Sequence, residues 1–164
     1  MFRRPSRAVL CSAVLVAAVT LMGGCGDDLP KDFERLPLER QVKEYELHLQ
    51  RYGHPLAYAE AAIAKHGFGA ADLACDRLAK SDQSLPAYEA LQIVHLVQTG
   101  GCSLKETRCE SVVRSFMADH PIDSTDGYFA RITLEAIERG YTSPTWHVGA
   151  CGHRSEVRSE MPPE

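Results

Sequence analysis

The side chains best suited to chemistry cluster near the C-terminal end, where Trp146-His147 is followed by Cys151 and His153. Two imidazoles and a thiolate at that spacing offer soft and borderline ligands to copper or zinc. The competing reading makes Cys151 half of a disulfide and leaves His147 and His153 as exposed tail residues. It is preferred, because a metal site needs a supporting second layer of hydrogen bonds that a chain end is poorly placed to supply.

Catalytic arrangements are not visible. The chain has no Gly-x-Ser-x-Gly elbow, no His-Glu-x-x-His pair and no phosphate-binding glycine loop. Gly67-Phe68-Gly69-Ala70 is glycine-rich but lacks a following lysine, and reads as a helix junction. His95, between Ile93-Val94 and Leu96-Val97, reads as a core-edge histidine with one hydrogen-bond partner. His48, His54, His66 and His120 fall near expected helix ends, where a cation suits the C-terminal dipole. Cys75 and Cys109 lie on apolar faces, and buried thiols are inert unless a positive neighbour lowers their pKa. The expectation is a non-enzymatic protein with no cofactor.

At the other end, Arg3, Arg4 and Arg7 precede an apolar run from Ala8 to Met22, and Gly23-Gly24-Cys25 follows. A positive stretch, a short apolar stretch and small residues at a cut point are the parts of an export signal. The apolar run is shorter than the roughly 20 residues that a helix needs to span the hydrocarbon core. Met22-Gly23-Gly24-Cys25 resembles the lipobox of bacterial lipoproteins, with Met22 in the place where leucine is commonest. The resemblance covers this N-terminal segment alone. It implies that residues 1–24 are a signal peptide and that Cys25 is lipidated and becomes the mature N-terminus. It also implies that the chain is anchored to a membrane of the cell envelope with its domain outside the cytoplasm. More than one acyl chain makes such an anchor durable. Asp27 and Asp28 follow the anchor as sorting residues or as plain tether.

Cleavage there would leave 140 residues, enough for one domain, and would move the net charge from −4 to −7. An acidic balance argues against a nucleic-acid partner and against a polybasic lipid-binding face. Of the six cysteines, Cys11 would leave with the signal and Cys25 would carry lipid. Cys75, Cys102, Cys109 and Cys151 remain, an even number that implies two disulfides in an exported domain. Spacing alone leaves all three pairings open. Cys102 with Cys109 is possible only if the helix that follows Cys102 starts late.

These groups must be positioned by helices. Residues 25–36 read as lipidated cysteine and tether. From Pro37, Leu38, Val42, Tyr45, Leu49 and Tyr52 recur on one helical face, and Gly53 with Pro55 ends it. Further helices are expected over about 56–66, 70–80 and 86–99, with a turn at 81–84. Ser103-Leu104-Lys105-Glu106 has the form of a capping box opening a fifth helix, with Cys109, Val112, Val113 and Phe116 on one face and a stop at His120-Pro121. A sixth runs from about Asp126 to Arg139, with Phe129, Ile132, Ala136 and Ile137 for the core and Gly140 as its stop.

The class is all-α: about six short helices in three αα-hairpins over 37–140, beginning near Pro37, Ala70 and Leu104. At those offsets of 33 and 34 residues Val42, Cys75 and Cys109 align, as do Tyr45, Leu78 and Val112. The spacing resembles that of tetratricopeptide and HEAT arrays without their landmark residues, so a short solenoid and a compact bundle both stand. Residues 141–164 should be an irregular C-terminal tail, its first half pinned if Cys151 is bonded. The functional expectation is a membrane-anchored lipoprotein that presents a helical surface to an envelope protein or peptide. An immunity or assembly factor is its sharper form, and metal binding through His147, Cys151 and His153 is the alternative.

Overall fold

A computed structural model describes residues 29–80 and 85–152. The signal peptide, Cys25, the turn at 81–84, and His153 with the rest of the tail lie outside the described residues. The described chain is all-α: after a 3-10 turn at Phe33–Arg35 come α1 Leu38–Tyr52, α2 Ala57–Ala64, α3 Phe68–Lys80, α4 Ala87–Thr99, α5 Arg108–Asp119 and α6 Thr125–Arg139. None is long and apolar enough to cross a membrane.

Local chemistry sets most boundaries. The Pro37 carbonyl accepts from the Arg40 and Gln41 amides at 3.0 and 2.9 Å, opening α1, and Gly53 at φ 69° closes it in a left-handed conformation that glycine tolerates. At α6 the Ser124 hydroxyl caps the Gly127 amide at 3.0 Å.

The start of α5 differs from the expected capping box. Thr107, not Ser103, is the cap, its hydroxyl accepting from the Glu110 amide, while the Glu110 carboxylate accepts from the Glu106 amide at 2.7 Å. The helix starts late because residues 102–104 are held elsewhere. Cys102 is disulfide-bonded, and the Leu104 amide donates to the side-chain oxygen of buried Gln98 at 2.8 Å. Gln98→Ala should therefore cost about 1–3 kcal/mol, because it leaves the Leu104 amide buried and unpaired. Urea unfolding checks this, and an unchanged midpoint would mean that water replaces the lost acceptor.

α1 packs on α2, α3 on α4 and α5 on α6, and successive pairs stack: α2 on α4 and α4 on α6 in one row, α3 on α5 in the other. Extensive contacts join neighbouring pairs and not the first pair with the third, which is the contact order of stacked helical hairpins. α4 is the centre of the stack and buries Leu91, Ile93, Val94 and Val97.

Both ends of the described segment pack more tightly than the sequence suggests. Leu29 and Phe33 are buried in the core and the 3-10 turn packs on α2, so most of the stretch read as tether belongs to the folded body. The first half of the tail lies across the C-terminal end of α4. There the Ser143 and Val148 amides donate to the Thr99 and Gly100 carbonyls, and the Trp146 indole N–H donates to the Leu96 carbonyl at 2.8 Å. Gly100 is the seat, since a Cβ there would stand 2.5 Å from Val148 and 2.8 Å from the Trp146 nitrogen.

Candidate functional site

The four cysteines of the domain pair as Cys75–Cys109 and Cys102–Cys151, with Cα separations of 5.5 and 5.4 Å. The first bond joins α3 to α5. The second joins the α4–α5 loop to the tail, where the Phe68 amide at the start of α3 also donates to the Cys151 carbonyl at 2.8 Å. With its sulfur in a disulfide, Cys151 offers no thiolate beside exposed His147, and His153 lies outside the described residues. Among the described residues no group of three or more histidine, cysteine, aspartate and glutamate side chains could hold a metal ion.

The described histidines do not converge on one site. His95 is half-buried against Phe129, and burial lowers its pKa. His120 stacks on Phe116 with its Nδ1 at 2.8 Å from the Phe116 carbonyl oxygen. His48 is buried beside Tyr52 and His54, with ring centroids at 4.9 and 5.1 Å. Gly53 turns the chain so that His54 lies against α1.

Two features stand out instead. The first is a groove of about 470 Å³ on the last hairpin, lined by Met117, Ile122 and Leu134 and flanked by Arg114, Arg131 and Glu138. A stacked pair buries one side on its neighbour, and among the described residues no further pair covers the other side of α5 and α6. The flanking charges are ordered by ion pairs, Arg114 with Glu110 and Glu138 at 2.8 Å each and Arg131 with Glu135 at 3.0 Å. Exposed pairs of this kind add little stability. Their effect is to orient charges around an apolar strip. A second hollow of about 260 Å³ shares Glu135 and adds His95, Ile132 and Tyr141.

The large exposed apolar side chains follow the same logic. Leu47, Tyr52 and Tyr58 lie on the first hairpin, and Ile122, Tyr128 and Tyr141 on or beside the last. The described residues of the middle hairpin contribute none, since it has a neighbour on each side.

The second feature is a buried acidic cluster that the sequence reading did not single out. The Tyr45 hydroxyl on α1 donates to Glu60 Oε1 on α2 at 2.8 Å, and these residues are 0% and 3% exposed. Burial pushes the Glu60 carboxyl up to about 7; the Tyr45 hydrogen bond acts against the rise and the neighbouring Glu89 adds to it. Burial and the field of Glu60 likewise hold the Tyr45 hydroxyl protonated far above the ordinary tyrosine range. Glu89, 8% exposed on α4, is also raised by burial, and its Oε2 is buried without a hydrogen-bond partner. The one signal in the sequence is a lone glutamate inside an alanine-rich helix, Ala59-Glu60-Ala61-Ala62.

The chain matches no protein-family model, no curated protein and no solved structure.

Proposed function

We propose that the protein is a lipid-anchored envelope lipoprotein whose helical stack is a non-enzymatic docking module, with the groove of the last hairpin receiving an envelope protein or peptide. The observation that carries this reading is the uncovered α5–α6 face, where Ile122 is 53% and Tyr128 57% exposed beside an apolar strip framed by ordered charges. Contiguous apolar surface rimmed by polar groups is the usual mark of a contact site. The lipobox-like segment ending at Cys25 supports the anchor, and disulfides, which persist in oxidising compartments, support an extracytoplasmic domain. An immunity or assembly role is the sharper form of the same proposal.

Crosslinking in the producing cell, followed by recovery of the protein, should retain a specific envelope partner. Ile122→Glu should weaken that retention by about tenfold or more, as expected for a residue central to an interface. The same substitution should leave thermal unfolding almost unchanged, because the side chain is exposed. Equal retention by the variant would exclude the groove; hydrolysis of a generic ester, peptide or glycan with no partner retained would exclude the module. The anchor is tested separately. Mass spectrometry of the mature N-terminus should find acyl chains on Cys25, and globomycin should block maturation. A free thiol at that position would end the lipoprotein reading.

A further inference from the structure

The two disulfides staple the second and third hairpins and the tail to one another. Neither touches α1 or α2. Beyond the continuous backbone, the first hairpin is held to the stack by noncovalent contacts, chiefly α2 on α4, with an Arg77–Glu46 ion pair at 3.0 Å between α3 and α1. At that unstapled joint the fold has buried two carboxyl groups instead of an apolar pair: Glu60 on α2 and Glu89 on α4, with Tyr45 of α1 bonded to the first.

We infer that Tyr45, Glu60 and Glu89 form a pH-sensitive latch: with Glu60 protonated the first hairpin is seated on the stack, and ionisation of Glu60 releases α1 and α2 from α4. The surroundings fit a neutral acid. From α1 the group acting on Glu60 is Tyr45, and from α4 it is Glu89, which in turn feels Asp126 in the first turn of α6. The 3-10 turn and α3 also pack on α2, yet among the described residues the side chains acting on Glu60 are Tyr45 and Glu89, and no lysine, arginine or histidine is one of them. A buried carboxylate facing another acid and no cation is unfavourable in a low-dielectric interior.

The direction follows from linkage. A carboxyl whose folded pKa is raised from 4.5 to about 7 favours the seated state fully below 4.5, and that advantage is lost as the pH rises to about 7. Each pH unit in that window shifts the equilibrium up to about tenfold. Release would uncover Ala59, Ala62 and Ile63 of α2 and the α4 face beneath them, an apolar surface hidden in the closed stack.

Hydrogen exchange of the full chain at pH 5 and pH 8, corrected for intrinsic rates, tests the latch. Amides of α1 and α2 should lose at least about tenfold more protection than those of α5 and α6, and Glu60→Gln should abolish the difference. A uniform response across the helices, or a hairpin-specific loss that persists in Glu60→Gln, overturns the proposal. Should Glu60→Gln fail to fold, Tyr45→Phe removes the hydrogen bond that favours the ionised acid in the seated state, so α1 and α2 must lose more protection between pH 5 and pH 8 than in the wild type; an unchanged or smaller loss overturns the proposal. A carboxyl carbon shift of Glu60 titrating near 4.5 in the folded protein would equally overturn it.

Discussion

Replacing Cys75 and Cys109 together by alanine is expected to lower the free energy of unfolding by about 3–4 kcal/mol. The bond closes a loop between residues 34 apart and so removes much of the conformational freedom that the unfolded chain would otherwise have. Both cysteines are 1% exposed, and the sulfurs fill space between α3 and α5. Alanine therefore loses packing as well as the cross-link. Small domains have about 5–15 kcal/mol in all, so one bridge is a large share. Urea unfolding of the oxidised wild type against the double variant measures the difference. A loss under about 1 kcal/mol would mean that the α3–α5 row is held by its helix packing without the bond. The Cys102–Cys151 bridge spans 49 residues, but its loss should act more locally, since the tail also hangs on α4 through Trp146, Ser143 and Val148.

Leu91→Ala should cost about 2–5 kcal/mol, the range for deleting a fully buried leucine side chain. Leu91 is 0% exposed on α4, the helix that packs against α2, α3 and α6 at once. A cavity there is walled by rigid elements on several sides and cannot collapse, which places the loss in the upper half of that range. Denaturant unfolding with an unchanged slope is the readout. A loss under about 1 kcal/mol would show that neighbouring helices close the gap. Ile122→Glu is the contrasting surface change, expected to stay within about 0.5 kcal/mol.

The helix ends were legible where the deciding groups are a few residues apart. Gly53 and Gly140 stop α1 and α6 because a glycine takes the left-handed conformation at each C-terminus. Pro37 and Pro86 stand at the openings of α1 and α4 for an equally local reason. The capping box at Ser103 was misread because its competitor is distant: Gln98 and Cys151 hold residues 102–104 off the helix, and the cap passes to Thr107. Of the apolar face of α1 that the spacing predicts, Leu38, Val42, Tyr45, Leu49 and Tyr52, the middle three are buried while Leu38 is half-buried and Tyr52 exposed, and nothing near Tyr45 in the chain announces that its hydroxyl meets Glu60 fifteen residues later.

The sequence by itself determined the all-α class of the described residues, six helices and most of their stops, and left a short solenoid and a compact bundle both open, because periodicity, capping and turn chemistry act within a turn or two of backbone. Only the tertiary structure decided which cysteines bond, that the first half of the tail lies on α4, which hairpin face the described residues leave uncovered, and that burial raises the Glu60 carboxyl. Each of those depends on groups brought together from distant parts of the chain. The alignment of Cys75 with Cys109 bridges the two levels: a spacing visible in the sequence became a bond when stacking set α3 against α5.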